Sequence, residues 1–235
     1  MIKLENTVTP SAAQWEAIIR GARNPMNSWD RMDSYKTVIE NPETLNTADF
    51  AYFIGENDQQ LLEKLAKGGP VHAKYRRSIM VWVDITAPLY LYKELDTYKV
   101  GTVCNSCSTM HKIHAKEFTL DDFSHEHLTA RGLRRLNETI EDLNYYRDIY
   151  LNGGIDDFGG KVVGYGPKHK DIWWQMIQLL PSSYNQLRSY TFSYESLVGI
   201  YRWRKDHKLD EWHVFCDWIK NDLPYSELIT GEFDD

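Results

Sequence analysis

The chain has 235 residues, of which 42% are hydrophobic, and a formal net charge of −7. This length can bury the core of one domain, and we expect residues 1–235 to form a single domain. The negative charge argues against a broad basic surface for nucleic acid or anionic membrane. No apolar stretch approaches the roughly 20 residues that span a bilayer, and the N-terminal MIKLENTVTP lacks the pattern of a signal peptide. We therefore expect a cytoplasmic protein without a nucleic-acid or membrane partner.

The first third of the chain predicts two helices followed by a strand. Ser11 is suited to cap a helix with one apolar face, and Asp58 is predicted to open a second helix that ends at Gly68. From Ser78 to Ile85 the apolar residues alternate, which predicts a strand. The apolar face of the first helix comprises Trp15, Ile18, Ile19 and Ala22, and that of the strand comprises Ile79, Val81, Val83 and Ile85.

A short helix and a polar loop are predicted to follow this strand. Thr86 suits an N-cap and Pro88 suits the first helical turn, so we expect a helix from there to about Lys99. Residues 97–111 then predict a loop of small side chains crowded with hydroxyl, thiol and amide groups. Loops of this composition on a rigid scaffold commonly contact ligands.

The second half of the chain is predicted to be mostly helical. Apolar periodicity predicts four helices, and a glycine-rich segment, GGIDDFGGKVVGYGP, predicts a loop or a hairpin. Few strands among many helices predict the α+β class, with a central sheet and several surrounding helices. The four helices are Leu133 to Leu151, Ile172 to Leu180, Tyr194 to Lys205 and Leu209 to Asn221.

Arg204 is the most informative charged residue of the predicted helices. It follows Leu197 by seven residues and so lies on the apolar face that Leu197 and Ile200 define. A buried, unpaired charge is costly, so the guanidinium should meet a carboxylate or a ligand anion such as phosphate. Alternatively, its stem packs on the helix while its charged end reaches water.

Two segments together resemble a known family. Ala87 and Pro88 begin a helix that leads into Thr97-Tyr98-Lys99 and the polar loop, and a second segment, LPSSYNQLRSYTFSYESLVGIYRWRKDHKLDEW, carries a Leu-Pro opening, a Ser-Leu helix and the terminal Arg204. In this order and spacing the chain resembles the flavin-dependent thymidylate synthases. The resemblance implies that family's α+β, thymidylate-synthase-complementing-protein-like fold.

The resemblance also implies an activity. Members methylate dUMP reductively with methylenetetrahydrofolate, FAD and NADPH, so it implies a pyrimidine nucleotide and folate as partners, a homotetramer and a methyltransferase of nucleotide biosynthesis. Such an enzyme positions its reactants while the cofactors carry the chemistry. No metal is implied.

Specific residues follow from matching the family's motifs. Arg204 matches its nucleotide-binding arginine. Of the three residues at the positions of its Arg-His-Arg triplet, only Lys99 is a cation. The implied catalytic residues are Arg204 and Ser108; the substrate-binding residues are Glu94, Lys99, Asn105, Ser106, Ser108 and Arg204; the cofactor-binding residues are Ser28, His72, Tyr98, Lys99 and Ser193. Arg76, Arg77 and Arg188 are the cations that could compensate for the arginines that the triplet lacks.

Two alternatives remain open from the sequence. Because several of the family's arginines are absent, the chain could be an altered homologue that only binds nucleotide or flavin. Cys104, Cys107, His111 and His114 form a C-x-x-C-x-x-x-H-x-x-H pattern with four zinc-competent ligands, which a zinc-stabilised structural module would need. Alternatively, Cys104 and Cys107 are buried small thiols that bind no metal. Cys216 is expected in the core.

Overall fold

A computed structural model describes residues 2–39, 49–155, 159–162 and 169–231. Helices and strands alternate along the first half, and helices dominate the second. The helices are α1 Ala12–Arg23, α2 Glu56–Lys67, α3 Leu89–Leu95, α4 Thr109–Lys112, α5 Ala130–Asn152, α6 Lys170–Leu179, α7 Tyr194–Arg204, α8 Asp210–Asp222 and α9 Glu227–Thr230. The strands are β1 Lys3–Val8, β2 Tyr35–Ile39, β3 Asp49–Phe53, β4 Met80–Pro88, β5 Thr102–Ser106, β6 Gly154–Ile155, β7 Lys161–Val162 and β8 Asn185–Ser193.

The predicted α+β class with a central sheet is confirmed. The central sheet is antiparallel and has the strand order β1-β4-β8-β5, so β4 and β8 are its inner strands. The apolar face predicted for β4 is buried, with Ile79, Val81, Val83 and Ile85 at most 2% exposed. Two smaller antiparallel pairs, β2-β3 and β6-β7, complete the described strands. The second pair confirms a hairpin in the part of the glycine-rich segment that the structure describes; residues 156–158 and 163–168 lie outside it.

Backbone contacts divide the chain into two compact units. Unit 1 contains Met1–Lys3, Ile85–Thr97 and Asn105–Arg188, and unit 2 contains Leu4–Asp84, Tyr98–Cys104 and Ser189–Asp235. The single-domain organisation of residues 1–235 stays a prediction.

Unit 1 is built around the packing of α5 on α6. Buried residues of these helices meet aromatic residues from the preceding segment, and the ring centroids of Phe118 and Phe123 lie 6.3 and 5.6 Å from that of Tyr184. The core comprises Ile113, Phe118, Phe123, Leu136, Ile140, Leu143 and Met176.

Unit 2 uses the apolar face that the sequence predicts for α1. Ser11 caps this helix and forms a capping box with Gln14, as its position predicts. Trp15 is 3% exposed and packs edge-on against the rings of Tyr194 and Tyr225. Because α1 is amphipathic, burying this face places its last residue, Arg23, in the interior.

Several predicted boundaries are wrong. The strand does not stop at Ile85: β4 continues through Thr86 to Pro88, and the helix after it ends at Leu95 rather than near Lys99. Thr86 therefore belongs to an inner strand, and Pro88 itself is the N-cap. Asp58 does not open α2, which starts at Glu56 after Gly55.

Residues 97–111 are not one loop. They contain the strand β5 and the start of α4, because this segment forms an edge of the central sheet. The sequence reasoning also missed β1, β2, β3 and β8, whose apolar residues do not alternate strictly. Among the helices of the described residues, none combines the length and apolar character needed to cross a bilayer.

Candidate functional site

Arg204 is the last residue of α7 and lies against two aromatic rings of unit 2. Its Nε donates a hydrogen bond of 2.8 Å to the hydroxyl of Tyr98. The guanidinium carbon lies 4.8 Å from the ring centroid of Trp212 and 5.4 Å from that of Tyr98. Such distances are within the range of cation–π attraction, which favours arginine. The side chain is half-buried, and its orientation is determined by both rings and the tyrosine hydroxyl.

Helix packing explains why Arg204 occupies this position. Leu197 and Ile200 on the same face of α7 are completely buried. Because this face packs inward, its last residue, Arg204, lies against the first turn of α8. Trp212 in that turn is also completely buried. The ring of Tyr98 meets Trp212 edge-on at 6.3 Å. Periodicity predicts that the side chain of Arg204 points inward. The structure confirms this direction, and the side chain is half-buried.

Ser193 lies at the other end of α7 and is used as a helix cap. Its side chain accepts a hydrogen bond of 3.1 Å from the amide of Ser196, and the residue is 3% exposed. The amide of Ser193 donates to the carbonyl of Gly101 at 3.0 Å. Gly101 has a φ of +70°, and a Cβ there would lie 2.6 Å from the hydroxyl oxygen of Ser193. A hydroxyl enclosed in this way is unsuited to the predicted contact with a cofactor.

His72 and Ser28, two predicted cofactor contacts, line neighbouring pockets of unit 2. His72 lines a pocket of about 570 Å³ whose walls include Ile18, Leu65 and Val71. Ser28 lines a second pocket of about 560 Å³, and Met26 lines both.

Tyr75 also lines the first pocket. Its hydroxyl donates to the carbonyl of Leu62 at 3.0 Å. Burial raises the pKa of Tyr75 to about 12, so this phenol stays neutral and acts as a wall of the pocket near neutral pH.

The predicted substrate contacts of unit 1 are on or near its surface. Asn105 and Ser106 are exposed residues at the end of β5, and Glu94 is half-buried in the last turn of α3. Ser108 is exposed and caps α4, where its hydroxyl accepts a hydrogen bond of 3.0 Å from the amide of His111. Lys99, which belongs to unit 2, is exposed.

Arg188, considered as a compensating cation, is engaged within unit 1. Its Nη1 donates to both carboxylate oxygens of Asp96 at 3.0 Å, and its Nε donates to the side-chain oxygen of Gln186 at 2.8 Å. The guanidinium lies 3.8 Å from the ring centroid of Tyr92. Because these contacts engage its guanidinium, Arg188 has a structural role in unit 1.

The other two arginines of that group belong to unit 2. Arg77 is exposed and donates to the carbonyl of Pro70 at 3.3 Å, whereas Arg76 is 2% exposed. The structure therefore gives these three cations three different environments.

The cysteine and histidine pattern does not form a metal site within the described ranges. No group of three or more His, Cys, Asp or Glu side chains in those ranges could hold a metal ion. Cys104 and Cys107 are exposed rather than buried; Cys104 lies on the edge strand β5, and Cys107 directly follows that strand. Cys216 is 5% exposed as expected, and burial raises its pKa to about 11.

Sequence reasoning missed Arg23, Asp58 and Trp212 as partners. Arg23 is 3% exposed, and its Nε donates to the carboxylate of Asp58 at 2.7 Å. A signal for Arg23 was present, since it follows Trp15 by eight residues and Ile19 by four and so continues the apolar face of α1. No local pattern identifies Asp58 as its partner, because the two residues are 35 positions apart.

Comparison with solved structures finds the same fold in nucleotide-methylating proteins. Two structures of the flavin-dependent thymidylate synthase ThyX from Helicobacter pylori with FAD and dUMP match with TM-scores of 0.58 and 0.59 at 13% identity, over 98% of this chain and 96% and 97% of theirs. The UMP/dUMP methylase PolB from Streptomyces cacaoi bound with 5-Br dUMP matches with a TM-score of 0.57 at 11% identity, over 99% of this chain and 93% of that one. No protein-family model and no curated protein sequence matches the chain. These likenesses establish the fold.

Proposed function

We propose that the protein is a flavin-dependent thymidylate synthase-like enzyme that methylates dUMP, or a related pyrimidine nucleotide, reductively. Three structures that share its fold over nearly the whole chain are complexes with FAD and dUMP or with a dUMP analogue. The observation that carries the proposal is the placement of Arg204. It is the residue that the family resemblance assigns to the nucleotide, and aromatic rings and a tyrosine hydroxyl hold it half-buried.

The proposed work of the chain itself is positioning. Arg204 would bind the phosphate or the pyrimidine of the nucleotide, and Tyr98 would set the plane of the guanidinium. In unit 1, Ser108, Ser106, Asn105 and Glu94 stay predicted substrate contacts. Correct orientation of reactants can contribute about 7 to 11 kcal/mol to lowering a reaction barrier.

The residues of unit 2 fit a flavin in part. The pocket beside His72 offers apolar walls for an aromatic ring system, and Ser28 offers a hydroxyl in the neighbouring pocket. Ser193 does not fit, because its hydroxyl is enclosed as a helix cap. When bound, FAD reduced by NADPH would supply hydride and methylenetetrahydrofolate would supply the carbon.

Titration with dUMP and FAD, followed by a tritium-release assay, tests this function. We expect Arg204→Ala to weaken dUMP binding by about 10- to 150-fold, the loss of one charge-assisted contact of about 1.5–3 kcal/mol. Arg202→Ala is the matched control, because Arg202 is an exposed arginine of the same helix. Equal dUMP affinity in wild type and Arg204→Ala would contradict the role of Arg204.

A second candidate is an altered homologue that binds nucleotide or flavin without methylating. The engagement of Arg188 with Asp96 favours it, because this cation is then committed to the fold. Saturable dUMP and FAD binding without tritium release would support this candidate over the enzyme.

The oligomeric state and the cellular location of the protein are also proposals that follow from the family resemblance. We propose a homotetramer, which sedimentation would detect as four chains of 27.6 kDa each. A cytoplasmic location agrees with three free cysteines, two of them exposed.

A further inference from the structure

The turn between α7 and α8, residues 205–209, contains an imidazole that faces the protein. The neighbours of His207 on either side, Asp206 and Lys208, are exposed, whereas His207 is half-buried. Its backbone amide donates a hydrogen bond of 3.1 Å to the carbonyl of Arg204, the last residue of α7. The turn therefore directs the side chain of His207 inward.

The imidazole of His207 accepts a hydrogen bond at the start of α8. The amide of Leu209 donates to its Nδ1 at 3.2 Å. Leu209 is the N-cap of α8, and its carbonyl accepts a hydrogen bond of 3.0 Å from the amide of Trp212. Because Nδ1 accepts here, the hydrogen of the neutral imidazole is on Nε2. The side chain of His207 is thus the acceptor that fixes where α8 begins.

The same imidazole lies against the tryptophan that contacts Arg204. The rings of His207 and Trp212 meet edge-on, with their centroids 6.4 Å apart and their planes at 75°. This is a favoured arrangement of aromatic rings. Trp212 is completely buried, and the guanidinium carbon of Arg204 lies 4.8 Å from its ring centroid. Contacts therefore continue from the imidazole through the indole to the guanidinium.

This series of contacts bears on how well Arg204 can bind an anion. A long arginine side chain loses conformational freedom when it binds, and partners that hold it beforehand reduce that loss. Tyr98 and Trp212 are such partners. Trp212 lies beside Arg204 because the turn between α7 and α8 closes, and the side-chain acceptor within that turn is Nδ1 of His207.

We infer that His207 is a positioning residue for Arg204: its Nδ1 fixes the start of α8 and thereby the place of Trp212 beside the guanidinium. For its effect on dUMP the inference rests on the proposed function. The orientation of Arg204 itself is measurable without any ligand. His207 is assigned no contact with the nucleotide.

Nuclear magnetic resonance of the full chain with isotope-labelled arginine measures this orientation. The Nε–H of Arg204 donates to Tyr98 at 2.8 Å, so its exchange with water is slowed, and the loss of its signal in Arg204→Lys identifies it. We expect His207→Ala to speed this exchange about tenfold, the loss of one hydrogen bond. His207→Asn should stay within about threefold of wild type, because its side-chain oxygen can accept from Leu209 in place of Nδ1.

Titration with dUMP measures the consequence for binding. We expect His207→Ala to weaken dUMP binding about tenfold and His207→Asn to keep the affinity within about threefold of wild type. His213→Ala is the matched control, because His213 is an exposed histidine of α8 that lines the same surface pocket as His207. Its affinity should stay within about twofold of wild type.

Two results would overturn the inference. One is exchange of the Arg204 Nε–H in His207→Ala that is as slow as in wild type, even where the melting temperature falls. The other is equal acceleration in His207→Ala and His207→Asn, which would exclude Nδ1 as the cause. Circular dichroism verifies folding. If His207→Ala unfolds, His207→Phe, which keeps a ring but has no acceptor, takes its place in both comparisons.

The two measurements separate this inference from the proposed function. A wild-type chain that binds no dUMP would refute the proposed function, and the exchange rates of the variants would still decide the inference. Faster exchange in His207→Ala with unchanged dUMP affinity would support the inference and refute the nucleotide-binding role of Arg204.

Discussion

Arg23 and Arg204 end two helices of unit 2, α1 and α7, and are held by opposite kinds of partner. Arg23 is buried and paired with the carboxylate of Asp58, which accepts three further hydrogen bonds. Arg204 is half-buried between aromatic rings and a tyrosine hydroxyl. A charge paired in the interior belongs mainly to the stability of the fold, whereas a cation held at the surface by rings can be oriented without being neutralised.

The largest effect should come from breaking the buried pair. Asp58→Asn leaves the buried guanidinium of Arg23 without a counter-charge, so we expect the free energy of unfolding to fall by about 3–5 kcal/mol. Urea denaturation measures this change. Glu56→Gln, an exposed acid on the same helix, should change the free energy of unfolding by no more than about 0.5 kcal/mol.

Acid should weaken the same pair in wild type. Desolvation raises the pKa of Asp58, but the hydrogen bonds from Ser34, Arg23 and two amides outweigh it and lower the pKa overall. A lowered folded-state pKa stabilises above the unfolded value of about 3.9 and ceases to do so as the pH falls through the folded value.

Denaturation of wild type and Asp58→Asn at several pH values tests this sign. The difference in their free energies of unfolding should be constant from about pH 7 to about pH 5 and should shrink below about pH 3.9. A difference that grows as the pH falls would contradict it.

The contacts of Arg204 with Tyr98 and Trp212 should contribute less to the stability of the fold than the pair of Arg23 and Asp58. Tyr98→Phe removes the acceptor of Arg204 Nε but keeps the ring, so we expect a loss of about 1 kcal/mol in the free energy of unfolding. We also expect weaker dUMP binding, because the guanidinium loses an orienting contact. Tyr35→Phe, at an exposed ring stacked on Phe53, is the control; a dUMP affinity that Tyr98→Phe leaves unchanged would count against the orienting role.

The smallest effect on folding is expected at Ser28. Its hydrogen bond with Arg23 Nη1 is long, at 3.3 Å, so Ser28→Ala should lower the free energy of unfolding by about 0.5 kcal/mol. Thermal denaturation measures the change. A loss as large as that of Asp58→Asn would show that Ser28 belongs to the buried pair rather than to the pocket.

Much of the local structure could be predicted because it follows periodicity and capping. The Ser11 cap, the buried face of α1, the inward face of β4 and the long helix α5 all follow from the order of apolar and polar residues. The edge strand β5 could not be predicted in this way. Its burial pattern is almost entirely exposed, so no alternation marks it, and pairing in the sheet defines it.

The candidate sites likewise combine features that the sequence predicts with features that only the folded chain decides. The sequence could nominate Ser193 and Ser108 as hydroxyls near a ligand, but the tertiary structure uses both as helix caps. It could nominate Arg204, but the ring and hydroxyl of Tyr98 that help to hold it come from 106 positions away in the chain.

The order of residues by itself determined the α+β class, the main helices and the inward face that carries Arg204. These features depend on interactions between residues a few positions apart, which a linear pattern records. Only the tertiary structure decided that Arg23 is neutralised by Asp58, that Arg188 pairs with Asp96 and that Cys104 is exposed on an edge strand. Those outcomes depend on which distant elements pack together, because burial and the partner of a charge are properties of the folded chain.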